Sequence, residues 1–369
     1  MQKKLIALAI AGLASTAAFA QSNVTVYGRV DMGFASRSDD LPRTNSPAAT
    51  RSGTKTEMVQ GMAAGSRFGF KGAEDLGNGM KAIFELEYGL TPDQGVGTTA
   101  NQIWNRHSWV GLTGDFGTVV AGRVDGARYN VMIKYDPMGG VGVGALSGAG
   151  MNQGYITRGD NGTVYISPTF GGGFSFIGGY VTNLLGAEGV NTLGVTCNAT
   201  SSPNCGDLRD GILQLNYNNG PIGLTVNYER VSIRDSVAIK TYQLGGSYDF
   251  GAAKVLGVYD NIKNDPGTTD SRDWVLGVQV PFAGKAKFKI GYAEHDDKTA
   301  ANQDCKKWGV GLTYDMSKRT QIYTDYGKVT NKTAGNGCGL TTSASQGSLD
   351  LAGAAFGTKG VDVGFAHNF

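Results

Sequence analysis

Between Ser66 and Leu90 the chain alternates apolar and polar side chains in two runs around a short polar turn. In the first run Phe68 and Phe70 point one way, and Arg67, Gly69 and Lys71 the other. In the second, Met80, Ala82, Phe84, Leu86, Tyr88 and Leu90 share a face opposite Lys81, Ile83, Glu85 and Glu87. A period of two predicts β-strands. The carboxylates and glycines of Glu74–Gly79 suit the hairpin turn between them. One face is greasy and the other fully charged.

The same alternation recurs along the chain. Asn23–Ser36 opens it, and Ile103–Thr113 and Thr118–Arg123 flank a Gly114–Gly117 turn. Further runs are Thr163–Pro168, Phe174–Asn183, Gly211–Tyr217, Ile222–Val231, Val237–Tyr248 and Ala253–Ile262. Arg272–Val280, Ala286–Glu294, Lys307–Met316, Arg319–Lys328 and Val361–Phe369 complete the series, making sixteen strands with the hairpin. Asp39–Gln60, polar and carrying Pro42, Pro47 and Gly53, reads as a long loop. The interval 124–161 is longer than most connections and rich in glycine. Connections of that length generally serve a function, and in a barrel one can fold inward and narrow the lumen.

Short turns alternate with long loops, which is the asymmetry of an outer-membrane barrel. Closure matters because lipid tolerates no open strand edge. The expected fold is therefore all-β: a 16-stranded antiparallel transmembrane β-barrel with an inward-folded third external loop. A soluble sandwich would bury its apolar faces against each other and would not need so many strands with aromatics near their ends.

The N-terminus sharpens this. Lys3 and Lys4, the apolar run Leu5–Leu13 and the small-residue end Ala18-Phe19-Ala20 predict a signal peptide over residues 1–20, followed by a single domain over 21–369. Without Lys3 and Lys4 the basic residues fall from 33 to 31, equal to the 31 acidic ones. A neutral mature chain argues against a nucleic-acid partner. Charged residues are only 17% of the sequence, and 58 Gly with 16 Tyr favour strands and turns. No later stretch is long and apolar enough for a spanning helix.

Four cysteines allow three pairings, and an exported protein can form them. Cys197 with Cys205, and Cys305 with Cys338, is the preferred arrangement. No histidine or second cysteine stands at metal-ligand spacing, so no metal and no cofactor is expected.

Val24–Gly28 with Asp31, the stretch from Ser66 to Ala82, Val110–Leu112 with Phe116–Val119 and Gly122-Arg123, Tyr314–Thr320, and His367-Asn368-Phe369 form a set of segments spread along nearly the whole chain. Together they resemble the general porins of Neisseria- and Burkholderia-type Gram-negative bacteria. The resemblance implies an outer-membrane channel for ions and small hydrophilic solutes, a homotrimer, and a third loop folded into each pore. It also implies contact with outer-membrane lipid and lipopolysaccharide, and a terminal Phe369 read by the barrel-insertion machinery. The chain departs from the family pattern at Val124–Arg128, where relatives often carry a proline, and in the glycine-rich stretch after Gly139.

A pore of this kind has a constriction whose charges set the field felt by ions. The resemblance implies a basic ladder of Arg67, Arg106 and Arg158, with Arg29 and Arg123 nearby. Alternation alone puts Arg67 and Lys71 opposite Phe68 and Phe70. At Arg106 the alternation is poor, and His107 is an equal candidate for the inward place. Asp136 and then Asp125 are the candidate acids of the third loop, while Glu85 and Glu87 face the lumen from the wall. Five arginines against four acids predict a weak anion preference. His107, His295 and His367 are scattered and show no hydrolase pattern, so no enzyme is expected. A structural or adhesin-type barrel is the alternative.

Overall fold

On the strand Leu208–Asn219, Leu213 and Leu215 are 55% and 44% exposed, whereas Gln214 and Asn216 are 8% and 7% exposed. The usual rule of apolar inside and polar outside is inverted. Leu224, Val226, Leu244, Leu276 and Phe365 on other strands repeat the exposed half of the pattern, and Asn227, Gln243, Asp260 and Asp362 the buried half. A protein with its apolar face outward and its polar face inward suits lipid outside and water inside.

The computed structural model describes residues 23–39, 53–99, 101–147, 156–184, 186, 207–233, 238–265, 267–332, 338–340 and 357–369. The expected signal segment, and Cys197 and Cys205, lie outside the described residues. The strands are β1 (Asn23–Asp39), β2 (Gly53–Gln60), β3 (Arg67–Gly77), β4 (Met80–Thr91), β5 (Val96–Gly97) and β6 (His107–Gly114). They continue as β7 (Gly117–Asp125), β8 (Arg158–Ile166), β9 (Phe174–Val181), β10 (Leu208–Asn219), β11 (Ile222–Ile233) and β12 (Ala238–Asp249). β13 (Lys254–Asp265), β14 (Asp270–Phe282), β15 (Ala286–Asp297), β16 (Cys305–Asp315), β17 (Thr320–Asn331) and β18 (Lys359–Asn368) complete them, and one helix, α1 (Ala127–Tyr135), follows β7.

All pairings are antiparallel, and β1 closes the sheet against β18. β2 and β3 both pair with β1, one after the other, so they form a single stave broken at Gly61–Ser66. β5 is two residues long and pairs only with β4. Counting β2 with β3 and leaving out β5, the eighteen strands make a sixteen-stranded antiparallel barrel.

Several boundaries differ from the sequence reading, among them that of β8, which begins at Arg158 and not at Thr163 and so takes in the end of the expected 124–161 loop. Gly53–Gln60 is strand rather than loop, because it extends the ladder of β1 through a mostly polar stretch whose two apolar residues, Met58 and Val59, are adjacent and so show no period of two. The strand expected from Ile103 begins at His107; Ile103 itself stands 69% exposed in the lead-in. The break in the second stave is organised by Asp31, whose carboxylate accepts the backbone N–H groups of Ala63 and Ala64 at 3.0 and 2.8 Å. Outside, Trp274, Tyr292 and Trp308 of β14–β16 form a row with ring centroids 5.1 and 4.6 Å apart, as interfacial girdles do.

After β7, α1 packs on the polar face of β11, β12 and β13. Tyr135 meets the Thr225 hydroxyl at 3.0 Å, and Arg128 Nε donates to Asp260 at 3.0 Å. Burial weighs against the charge on Arg128, but Asp260 beside it holds its pKa above the ordinary arginine value. Beyond α1 the chain lies along a row of wall glycines. Gly277, Gly291, Gly309 and Gly327 stand directly opposite one another across β14–β17. A Cβ at Gly277 or Gly291 would strike Pro137, and at Gly309 and Gly327 the carbonyls of Gly144 and Val143. On β12, the ring of Tyr135 fills the space where Gly245 lacks a side chain. Small residues thus let the backbone of one segment lie on the backbone of the wall.

Cys305, at the start of β16, is joined to Cys338 by a disulfide with the Cα atoms 6.1 Å apart. Among the described residues there is no free cysteine and no helix long and apolar enough to cross a membrane.

Candidate functional site

The register of β1 and β3 sets Arg29 directly opposite Arg67. Two guanidinium groups on one face repel unless acids stand among them. β4 supplies those acids, since Glu85 and Glu87 share the face of Lys71 and Arg67. Arg106 Nε reaches Glu87 at 2.5 Å and Arg67 Nε lies 3.6 Å from it. The Tyr27 hydroxyl sits 2.9 Å from Glu85 and 3.0 Å from Glu87, with one hydrogen to donate between them. Lys71 Nζ is 5.0 Å from the centre of the Tyr27 ring.

His107, the first residue of β6, lies between two carboxylates. Its Nδ1 is 2.5 Å from Glu85 and its Nε2 is 3.0 Å from Asp125 at the end of β7. Asp125 also approaches Arg158 Nε at 3.0 Å, as an ion pair without hydrogen-bond alignment. Arg106 and His107 therefore both turn toward this cluster. They can do so because Arg106 precedes the strand, where the backbone does not yet alternate.

These groups line one wall of a cavity of about 550 Å³. The facing residues from α1 and the segment after it are Tyr129, Ile133, Gly139 and Val141, all uncharged. The wall carries Arg67, Lys71, Arg106 and Arg158 against Glu85, Glu87 and Asp125. Among the side chains lining it, the excess is one positive charge with His107 neutral and two with it protonated.

Three expected residues stand elsewhere. Asp136 is buried within its own loop, where it accepts hydrogen bonds from the backbone N–H groups of Met138, Leu146 and Ser147 at 2.8, 3.0 and 2.9 Å. It holds the loop together instead of lining the cavity. Arg123 pairs with Asp160 at 2.5 Å and donates to the Asn105 carbonyl at 2.8 Å. Its register partner is Ser108, and that of Ser108 is Leu86 on the apolar face, so it points away from Glu85. Arg29 lies at the turn end of the ladder, 3.3 Å from Asp31, in a second cavity with Lys285, Lys318 and Arg319. Tyr27 and Tyr129 were not singled out in the sequence. Tyr27 shares parity with Arg29, which was the available signal; Tyr129 sits on a helix whose seat no local pattern reveals.

Glu85, Glu87 and His107 place ligand atoms within 4.8 Å of one another, a spacing compatible with a metal ion. Here those atoms are engaged by Tyr27, Arg106 and the imidazole, with further cations around them, and we assign no metal.

The chain matches the sequence profile of the Gram-negative porins over residues 7–334. The chain belongs to that family. It is similar to outer membrane porin protein 32 of Delftia acidovorans, 30% identical over the whole of both chains. It is also similar to an outer membrane porin protein of Bordetella pertussis, 29% identical over 88% of this chain and 93% of that one. Among solved structures, an anion-selective porin from Comamonas acidovorans superposes with a TM-score of 0.74 at 26% identity, over 95% of this chain and all of that one. This porin is thus a channel in the outer membrane of a Gram-negative bacterium that passes solutes by passive diffusion. It catalyses no reaction. What a porin's cavity contributes is a cross-section and a field.

Proposed function

We infer that this porin conducts ions and small hydrophilic solutes with a preference for anions. The observation that carries the reading is the cavity itself, where four basic and three acidic side chains share one wall and the residues that line it from α1 and beyond are uncharged. Each carboxylate is held against at least one of the basic side chains: Glu87 by Arg106 and Arg67, Asp125 by Arg158, Glu85 by His107. The excess positive charge is left to a passing ion. Arginine suits this task because it stays charged when partly desolvated. The similar solved porin is described as anion-selective, and the charge balance here supports the same preference.

The connection between β7 and β8 is read as the third external loop, folded inward to form the narrowest part of each pore. The functional unit is a homotrimer in outer-membrane lipid and lipopolysaccharide, exported with cleavage after Ala20 and delivered to the insertion machinery through Phe369. Single-channel current in a planar bilayer, with the reversal potential under a salt gradient, tests the reading. Wild type is expected to show steps in threes and an anion-directed potential, and Arg67→Glu to move that potential toward cations. Steps without an anion-directed potential would sink the preference, and an unmoved potential would remove Arg67 from the field.

A further inference from the structure

We propose that His107 carries a proton on both ring nitrogens at neutral pH and acts as a specificity-determining cation of the pore. The proposal rests on the reading of this cavity as the constriction. Its ground is the placement of the ring between acids on two different strands. From β4, Glu85 meets Nδ1 at 2.5 Å and Glu87 stands 3.7 Å from the same nitrogen. From β7, Asp125 meets Nε2 at 3.0 Å. A neutral imidazole has one N–H and one bare lone pair, so it would set that lone pair against a carboxylate on one side or the other. Only the doubly protonated ring presents positive charge to both. The Asp125 oxygen lies off the line of a good hydrogen bond, but at that distance the attraction between opposite charges does not depend on alignment.

Cations also face this group. Arg106 lies beside it on Glu87, Arg158 on Asp125, Arg67 farther along Glu87, and Lys71 beyond the Tyr27 ring. None of these is interposed between the ring and its two carboxylates. Tyr27, a neutral donor, shares Glu85 and Glu87. Tyr129, across the cavity, lies 6.0 Å from the guanidinium of Arg158. The consequence is a division of labour. The imidazolium compensates Glu85 and shares Asp125, so the arginines of the wall are not all consumed by the acids between them. Removing it takes away one fixed positive charge and releases the field of two negative ones.

The test uses the full protein inserted in bilayers, with correct assembly checked by the heat-modifiable mobility typical of folded barrels. His107→Gln is expected to lower the anion-to-cation permeability ratio by roughly tenfold at low salt, because one unit charge at about 6 Å in a watery pore changes entry of the anion and of the cation by about threefold each in opposite senses. His107→Lys, which keeps a fixed charge, is expected to restore most of it. Wild-type selectivity is expected to stay flat between about pH 5.5 and pH 7.5, the interval over which an unperturbed histidine loses its charge. Side-chain 15N spectra of the wild-type protein give a second readout that needs no altered pore. The histidine signal missing from His107→Gln is expected to show two protonated nitrogens at neutral pH. A bare nitrogen in that signal, an unmoved potential in His107→Gln, or a fall of wild-type selectivity across that interval would each overturn the proposal. Should wild type prove not to prefer anions, the functional reading fails by itself, and the direction of the His107→Gln shift still decides this one.

Discussion

A side chain on Gly327 would fall on the carbonyl oxygen of Val143 and on Leu340. This contact ends a row in which the segment after α1 lies directly on the glycines of β14–β17. Interiors packed at this density cannot absorb even a methyl group without movement. Gly327→Val should therefore lift the segment from its seat while leaving the barrel ladder intact, since β17 keeps its register with β16 and β18. The expected outcome is a changed, and larger, single-channel conductance with faster entry of bulky sugars in liposome swelling. Unchanged permeation would mean that the segment does not limit the pore.

Arg128 and Asp260 anchor the same segment at its other end, both fully buried. Removing one partner of such a pair leaves a charge with no compensation, at a cost of about 3–5 kcal/mol. Arg128→Ala should give noisy, flickering channels and a lower melting temperature. Asp260→Asn in the same background should recover part of the loss, because it removes the orphaned charge. A quiet, fully stable Arg128→Ala channel would contradict the anchoring role.

Much of the barrel was legible because alternation is a local property. Leu213 and Gln214 declare their faces without reference to anything distant. The turn glycines and the carboxylates of Glu74 and Asp75 do the same. At Gly53–Gln60 the residues up to Glu57 are polar or glycine on both faces and Met58 and Val59 are adjacent, so no alternation marks the strand. The site was legible only as far as parity reaches. Arg67, Lys71, Glu85 and Glu87 share a face because they sit on two regular strands. Asp136 looked like a pore acid by its place in a long loop, yet three backbone N–H groups of that loop take up its carboxylate. A bulge lies between Gly122 and Val124, next to Arg123 in the register with β8, and parity does not carry across it. No single-residue pattern reports that the glycines of four strands stand side by side.

The Cys305–Cys338 bridge spans 33 residues, and Cys338 also exchanges hydrogen bonds of 2.9 Å with Asn331 at the end of β17. In the chain-entropy account a loop of that size contributes about 3–4 kcal/mol by restricting the unfolded state. Cys305→Ser with Cys338→Ser should lower the melting temperature without altering conductance or selectivity, since neither residue lines the cavity of the arginine cluster. A change in reversal potential would show that the bridged segment reaches the ion path.

The outward face offers the sharpest contrast with a soluble protein. Leu213 and Gln214 are neighbours on β10, one exposed and one buried. In water, Leu213→Lys would be nearly neutral, because an exposed leucine gains nothing from its surroundings. In lipid the same substitution near the midplane costs about 2–4 kcal/mol. Gln214→Ala, facing the interior, removes only a hydrogen bond to Asn216 of 2.9 Å, worth about 1 kcal/mol. Unfolding by denaturant from bilayers should therefore rank Leu213→Lys as far more damaging than Gln214→Ala. The reverse order would place lipid on the wrong face, because only an apolar surroundings makes the exposed leucine the costly position to change.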